Sequence, residues 1–152
     1  MSTRRRTRSS IKKGNKNLGR YKSSLEKYCA DCLADAGIKF DYEPESFVLQ
    51  DSFVYDAAYY KMTSRRKDLM NASNKKVLPI TYTPDFIGVE HDFVIETKGY
   101  TPSQHTFPIR WKLFLNYLYK NGRKPALFMP KNKDQVDEVV TIIKTMINDG
   151  KI

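Results

Sequence analysis

The segment ITYTPDFIGVEHDFVIETKG, residues 80–99, predicts two β-strands joined by a turn around residues 90–92. Side chains alternate between the two faces of a strand, so Phe93 and Ile95 share one face of the second strand and Val94 lies on the other. The two strands together predict a β-hairpin.

Upstream of this hairpin, the sequence predicts one helix and one interrupted strand. Apolar side chains recur at helical spacing from Ser23, and Gly37 is a natural end for that helix. Alternation over residues 38–42 predicts a strand, which Pro44 interrupts before a continuation at residues 47–49.

Residues 50–80 are the least decided part of the sequence. A short helix is one interpretation of residues 56–70, and residues 71–76 resemble a turn or a loop. The span is basic, and its cations form either a surface that contacts phosphate or simply a solvated face. These cations are Lys61, Arg65, Arg66, Lys67, Lys75 and Lys76.

Downstream of the hairpin, the sequence predicts a helix, a strand and a second helix. Residues 108–120 predict a helix that is apolar almost all round and therefore well buried, and residues 125–129 predict a short strand. Asn132 and Gln135 resemble a capping box that opens the last helix. The strand-helix-strand order across residues 92–129 predicts a parallel pair, so we expect an α/β domain with a mixed central sheet flanked by helices.

Residues 1–22 form a strongly basic N-terminal arm. They hold nine of the 27 Lys and Arg residues and no acid, so the rest of the chain carries 18 bases against 17 acids. A disordered basic arm on a nearly neutral body is typical of a protein that binds nucleic acid, because phosphate contacts release counterions. A solubilising tail and a tether to anionic membrane are the alternatives. The arm residues that we expect to contact nucleic acid are Arg4, Arg5, Arg6, Arg8, Lys12 and Lys13.

Length and composition exclude several protein classes. The chain has 152 residues, 40% hydrophobic and 29% charged, which suits one domain with a single core. It has no apolar run of the roughly 20 residues that span a bilayer, and no signal peptide is apparent, so we predict an intracellular protein with no membrane partner. Cys29 and Cys32 have no second pair, so neither a disulfide framework nor a four-ligand zinc site is expected.

Three acids and one lysine form the candidate site. Each has a structural explanation when taken singly, since Glu26 suits a capping box with Ser23 and Asp85 follows a turn-forming proline. Together, however, Asp85 and Glu96 lie on neighbouring strands of the predicted hairpin, and Glu96 shares a face with Lys98. Two carboxylates suit Mg²⁺ or Mn²⁺, and an adjacent lysine can hold a water and stabilise charge that develops on a phosphate.

These motifs resemble those of a known superfamily. Pro84-Asp85, followed after ten residues by Glu96-Thr97-Lys98, resembles the signature of the PD-(D/E)xK nucleases. RYKSSLEKYCADCLADAGIKFDYEP, with YTPDF and FVIETKG, is similar to the phage endonuclease I type of Holliday-junction resolvases and to related small phage nucleases. The similar segments cover residues 20–49 and 80–120, which is about half of the chain.

The resemblance implies a role for each matching residue. Glu26 would be the helix-borne acid that completes a metal shell, Asp85 the bridging ligand and Glu96 the second ligand. The carbonyl oxygen of Thr97 would be a further ligand, and Lys98 would be the catalytic lysine. The implied metal is Mg²⁺, for which Mn²⁺ would substitute, and the implied reaction is hydrolysis of DNA phosphodiester bonds.

The resemblance also implies an architecture and a setting. It predicts a single restriction-endonuclease-like domain over residues 23–152, in which residues 50–80 form an insertion. It implies a structure-selective endonuclease for Holliday junctions or other branched DNA, acting in phage recombination, replication or packaging in the cytoplasm of a host cell. A symmetric junction needs two coordinated cuts, so this function requires a homodimer.

Two further functions and two weaker site residues complete the expectations. A catalytically silent nucleic-acid-binding protein on a nuclease scaffold is one alternative, and a nicking or end-processing nuclease is the other. Arg110 and Lys112 follow the candidate site, and either side chain could contact phosphates of the cleaved strand. His91 and His105 are isolated from other ligands, so no role is assigned to them.

Overall fold

The computed structural model describes residues 18–65, 67–99 and 105–152. Within these ranges the chain forms three helices and ten strands, and no helix is long and apolar enough to cross a membrane. The arm residues Arg4, Arg5, Arg6, Arg8, Lys12 and Lys13 lie outside the described residues, as does Arg66. In chain order the elements are α1 (Ser24–Asp35), β1 (Phe40–Tyr42), β2 (Phe47–Gln50), β3 (Phe53–Val54), β4 (Tyr60–Lys61), β5 (Met70–Asn71), β6 (Lys76–Val77), β7 (Ile80–Tyr82), β8 (Phe86–Gly88), β9 (Phe93–Ile95), α2 (Phe107–Lys120), β10 (Ala126–Phe128) and α3 (Lys133–Asn148).

Four strands form a mixed central sheet in the order β1-β8-β9-β10. Strand β8 pairs antiparallel with both β1 and β9, and β10 runs parallel to β9. Helix α2 makes the crossover between the two parallel strands. The predicted hairpin and the predicted parallel pair are therefore confirmed, and the protein has a mixed α/β fold.

Helices cover both faces of this sheet. On one face, α1 and α3 pack against Phe86, Phe93 and Ile95. On the other face, Val94 packs in a second cluster with Phe114 of α2. The alternation predicted for β9 explains this division, because consecutive side chains of a strand point to opposite sides.

Helix α2 is less buried than the sequence predicted. Its buried side chains are Phe114 and Leu118, whereas Ile109 is 65% exposed and Tyr119 is 84% exposed. The prediction of a helix buried almost all round was wrong, because the sheet and the β2–β7 pair cover one face of α2 and leave the other to solvent.

The described part of residues 50–80 contains no helix, so that interpretation of residues 56–70 was wrong. Residues 47–82 instead form a long antiparallel hairpin, which we call the ribbon. Its nested strand pairs are β2–β7, β3–β6 and β4–β5. The expected turn within residues 71–76 is present around Asn74, whose φ of 57° lies in the left-handed region that Asn tolerates. Aromatic and β-branched residues recur along both strands, which favours extended backbone.

The strand predicted to run through residues 80–89 is divided at Pro84. Proline has no N–H to donate to a sheet ladder, so β7 ends before it and β8 begins after it. Across this break β7 belongs to the ribbon and β8 to the central sheet. The carbonyl oxygen of Asp85 accepts a hydrogen bond from the N–H of Glu43 at 2.9 Å, which ties the start of β8 to the end of β1.

Gly88→Ala is expected to destabilise the fold strongly. A Cβ atom at Gly88 would lie 2.1 Å from the carbonyl oxygen of His91 and 2.6 Å from the ring of Phe93, so backbone must move to admit it. Overpacking of this kind costs about 3 kcal/mol. Urea denaturation should show this loss in the free energy of unfolding, whereas the control Gly99→Ala meets no atom within 4 Å and should change little. Equal stability of the two variants would contradict the packing at Gly88.

Candidate active site

A cleft of about 730 Å³ opens where β9 ends. Asp85 immediately precedes β8, and the paired residues Phe86 and Ile95 place it opposite Glu96 across the hairpin. The cleft wall includes the side chains that the sequence singled out, and helix α2 begins at its rim. The predicted site residues that line it are Glu26, Asp85, Glu96, Thr97, Lys98 and Arg110.

Two hydrogen bonds from Thr97 fix the Asp85 carboxylate. The backbone N–H and the Oγ1 hydroxyl of Thr97 both donate to Asp85 Oδ2, each at 2.7 Å. Among the described residues, none donates to Oδ1 of Asp85. Burial, followed by the negative charge of Glu96, raises the pKa of Asp85 to about 7, although the Thr97 hydrogen bonds oppose this shift. Thr97 therefore holds the Asp85 carboxylate in place, while burial and the Glu96 charge make its ionised form unfavourable.

Glu96 is held at both of its carboxylate oxygens. The Tyr82 hydroxyl donates to Oε2 at 2.6 Å, and Lys98 Nζ lies 2.8 Å from Oε1. Burial and the adjacent Glu96 charge raise the pKa of the Tyr82 phenol, so Tyr82 remains a neutral donor. The Lys98 ammonium also lies 3.6 Å from the ring centroid of Phe107, where the aromatic face attracts a cation.

Glu26 lines the same cleft from helix α1. Ser23 Oγ caps this helix by accepting a hydrogen bond from the Glu26 N–H at 3.1 Å, which is the first half of the predicted capping box, whereas the returning bond to the Glu26 carboxylate comes from the N–H of Lys22 and not from that of Ser23. The carboxylate Oε2 of Glu26 accepts bonds from the Lys22 N–H at 2.9 Å and from the Tyr42 hydroxyl. Burial and the hydrogen bond to Glu26 raise the pKa of Tyr42. Glu26 therefore serves the helix terminus and also faces the cleft.

The carboxylates do not form a three-residue metal cluster. Within the described ranges, no three side chains among His, Cys, Asp and Glu are grouped closely enough to hold an ion together. Magnesium, however, commonly binds proteins through one or two carboxylates and keeps several waters. Asp85 and Glu96 supply two such hard oxygen ligands. Burial, followed by the Glu96 charge, raises the pKa of Asp85, and a divalent cation would favour the ionised form against both. The donor set fits Mg²⁺ or Mn²⁺ at this pair.

The flanking cations differ in their placement. Arg110 is exposed at the cleft, whereas Lys112 is exposed on α2 without lining it. Residues 18–22, which the sequence assigned to the arm, contact the domain. Tyr21 packs on the core, and the ammonium group of Lys22 forms an ion pair with Glu43 at the cleft.

The sequence interpretation missed the two tyrosines that hold the acids. Alternation along the strand predicts that Ile80 and Tyr82 lie on the same face. It does not predict the hydrogen bond from the Tyr82 hydroxyl to Glu96, because the strand is divided at Pro84, between these two residues. Tyr42 belongs to the predicted first strand, and its bond to Glu26 depends on how α1 packs beside that strand. No short motif indicates either contact.

Tyr82→Phe is expected to lower the free energy of unfolding by about 1–2 kcal/mol, because it leaves a buried oxygen of Glu96 without a donor. The ring itself is kept, so its packing 4.7 Å from the Phe114 ring centroid is preserved. Tyr117→Phe is the matched control, since Tyr117 packs on Phe47 of the same apolar cluster. Urea denaturation measures both variants, and equal losses would show that the Tyr82 bond to Glu96 contributes nothing specific.

Comparison with known proteins adds no relative to this picture. No protein-family model matches the chain, and neither the search of curated proteins nor the search of solved structures gave a match.

Proposed function

We propose that the protein is a metal-dependent DNA endonuclease of the PD-(D/E)xK type with a restriction-endonuclease-like fold. The observation that carries this proposal is the meeting of Asp85, Glu96 and Lys98 in one cleft, across the β8–β9 hairpin. Two carboxylates and an ammonium group suit metal-dependent phosphodiester hydrolysis, because they supply ligands for a divalent cation and a positive charge beside the attacked phosphate.

The chain's own residues prepare the cleft for an anionic substrate. Thr97 fixes one oxygen of Asp85 and leaves the other without a donor among the described residues, while Tyr82 fixes Glu96. Lys98 is positioned by Glu96 to orient a water and to stabilise negative charge on a phosphate oxygen. Arg110 at the rim would contact a neighbouring phosphate of the strand.

Asp85 and Glu96 would hold Mg²⁺ or Mn²⁺, with the Thr97 carbonyl as a further ligand implied by the family resemblance. Glu26, which the resemblance also implies as a ligand, lines the same cleft but is not grouped with these two carboxylates around one ion. A bound divalent ion supplies polarisation of the phosphate and lowers the pKa of a coordinated water. Arg110 lines the cleft, and its positive charge suits a polyanionic substrate, whereas the ammonium group of Lys22 at the same cleft is paired with Glu43.

We propose branched DNA, including the Holliday junction, as the substrate. The enzyme would act in recombination, replication or packaging of phage DNA in the host cytoplasm. The basic arm would add affinity without base preference, because phosphate contacts carry no sequence information. Paired cuts in a symmetric junction require a homodimer, so the proposal includes one.

A substrate panel tests this function. Purified wild-type protein and Lys98→Ala are incubated with labelled four-way junction, flap, nicked, linear duplex and single-stranded DNA, in Mg²⁺, Mn²⁺ or EDTA. Symmetric, metal-dependent cuts in the junction that Lys98→Ala loses are the expected result. Cleavage of another substrate would replace the junction by a nicking or end-processing role. Salt-sensitive binding without any product would contradict the enzyme and favour a silent scaffold that binds nucleic acid. A protein that stays monomeric on DNA would exclude junction resolution.

A further inference from the structure

The ribbon extends from the candidate active site and is exposed along most of its length. Its paired positions run from Phe47–Tyr82 at the base to Tyr60–Asn71 and Lys61–Met70 near the tip. Two backbone hydrogen bonds join the strands between β3–β6 and β4–β5. The Asn74 N–H donates to the Tyr55 carbonyl at 3.0 Å, and the Ala72 N–H donates to the Tyr59 carbonyl at 2.7 Å.

The base of the ribbon is fixed beside the catalytic carboxylates. The rings of Phe47 and Tyr82 pack 5.3 Å and 4.7 Å from the ring of Phe114 on α2. Tyr82 also donates to Glu96, and the side chains of Ser46 and Thr83 hydrogen-bond across the base. The direction in which the ribbon leaves the domain is therefore set by the same residues that hold the candidate site.

The outer part of the ribbon carries cations without ion-pair partners. Lys61, Arg65 and Lys67 surround the tip, and all three are exposed. Lys75 and Lys76 follow on the returning strand and are also exposed. No carboxylate of the described residues forms an ion pair with any of these five side chains. These five cations exceed the exposed aspartates of the ribbon, Asp51, Asp56 and Asp68, and an excess of positive charge on an exposed element favours an external polyanion.

Exposed aromatic rings lie between these cations and the base. Phe53, Tyr55, Tyr59 and Tyr60 are each between 43% and 57% exposed, and the rings of Tyr55 and Tyr59 pack edge to face at 6.3 Å. Tyrosine hydroxyls donate to phosphate oxygens, and aromatic rings pack on sugars and bases. Cations interleaved with tyrosines are thus suited to a nucleic-acid surface.

We propose that the ribbon is a second DNA-binding element, which contacts the duplex that flanks the cleaved site. A two-stranded β-ribbon fits the major groove, which is about 12 Å wide. Extended strand rises about 3.3 Å per residue, so the distance from Phe47 to Lys61 is at most roughly 45 Å. The phosphates that the tip contacts therefore lie within this distance of the base, whose upper limit is a little more than one helical turn of DNA, about 34 Å. The position of the duplex relative to the cleft rests on the proposed nuclease function, whereas binding of the ribbon to DNA does not.

Charge reversal at the tip tests the proposal. The ribbon variant combines Lys61→Glu, Arg65→Glu and Lys67→Glu. The control variant combines Lys120→Glu, Lys124→Glu and Lys144→Glu, which are exposed cations outside the ribbon, so both variants have the same net charge. Binding to a four-way junction and to a 30-base-pair duplex is measured in EDTA over a range of salt concentrations, so no cleavage is needed.

The ribbon variant should bind at least about tenfold more weakly than the control variant. The slope of log affinity against log salt should fall by about 0.9 for each phosphate contact that is lost, and by up to about 3 in total. Equal effects of the two variants would overturn the proposal, since net charge alone would then explain them.

Sedimentation of the same variants separates DNA from a second copy of the chain as the partner. Met62, Leu69 and Leu78 expose apolar surface on the ribbon, as a protein interface does. A wild-type dimer that dissociates in the ribbon variant without change in DNA binding would overturn the proposal and assign the ribbon to dimerisation. Failure of the proposed nuclease function can be distinguished from failure of the ribbon proposal. In the first case the wild-type protein would bind DNA through the ribbon and yet cleave no substrate of the panel.

Discussion

Asp85→Asn is expected to lower the rate of DNA cleavage by about 10³-fold while leaving DNA binding nearly unchanged. The substitution removes one of the two carboxylates that would hold the cation but keeps the shape of the side chain. The amide oxygen of Asn can still accept both hydrogen bonds from Thr97, which reach Asp85 at 2.7 Å. Loss of cleavage would then reflect chemistry and not a disordered cleft.

The same substitution is expected to stabilise the metal-free protein at alkaline pH. Burial and the charge of Glu96 raise the pKa of Asp85 from 3.8 to about 7. Between these values the folded state holds a proton that the unfolded state has released, so the free energy of unfolding of the wild type falls as pH rises through the window. Asparagine does not ionise and avoids this loss. Because Asp85 is partly exposed, we expect a gain on the order of 2 kcal/mol at about pH 8 and little at about pH 4.

Urea denaturation in EDTA at three pH values measures the stability, and single-turnover cleavage of a four-way junction measures the chemistry. Asp41→Asn is the control, because Asp41 is exposed on β1 and lies outside the cleft. A structural aspartate would lose stability when changed to Asn. If Asp85→Asn is less stable than the wild type at pH 8, or cleaves at the wild-type rate, the assignment of Asp85 as a cation ligand fails.

The elements that follow from hydrophobic periodicity were predictable. Alternation around Phe93 and Ile95 predicts a strand. The helix between this strand and the next predicts a crossover connection, and a crossover joins parallel strands, as β9 and β10 are. The burial of α2 was not predictable in the same way. An apolar side chain such as Ile109 shows what could be buried, but whether a neighbour covers it depends on tertiary packing.

The ribbon shows where local patterns are ambiguous. Residues 56–70 mix small, aromatic and charged side chains, so helix and strand have similar local support. Pairing with residues on the returning strand decides between them, and that pairing is fixed by the distant β2–β7 base. Sequence windows of this length contain no information about it.

In the candidate site, too, contacts within the hairpin were predictable and contacts between distant segments were not. The hairpin register alone brings Asp85 and Glu96 together, and the spacing of two residues brings Glu96 to Lys98. Tyr82 and Tyr42 were missed because each meets its acid across elements that are separate in sequence. The residues that carry charge could be predicted, whereas those that orient the charge could not.

Lys98→Met is expected to lower the cleavage rate by about 10²–10³-fold but to strengthen the binding of a divalent cation. The Lys98 ammonium lies 2.8 Å from Glu96 Oε1, so it competes with any other cation for that oxygen. Methionine keeps a long apolar side chain beside Phe107 but carries no charge. Without the ammonium group, the negative charge of Glu96 is no longer compensated by Lys98 and attracts a divalent cation more strongly. The group that would stabilise negative charge on the phosphate is absent.

Isothermal titration of Mn²⁺ into the wild type, Lys98→Met and Asp85→Asn measures cation binding without any DNA. Affinity should rise in Lys98→Met and fall in Asp85→Asn, although both variants lose cleavage. Lys98→Arg is the control for charge, and it should bind Mn²⁺ as the wild type does. If both Lys98→Met and Asp85→Asn weaken Mn²⁺ binding, Lys98 maintains the shape of the cleft and has no direct role. Changes of opposite sign in Mn²⁺ affinity are expected only if Asp85 attracts the cation and Lys98 repels it. If both residues merely supported the fold, both substitutions would weaken Mn²⁺ binding.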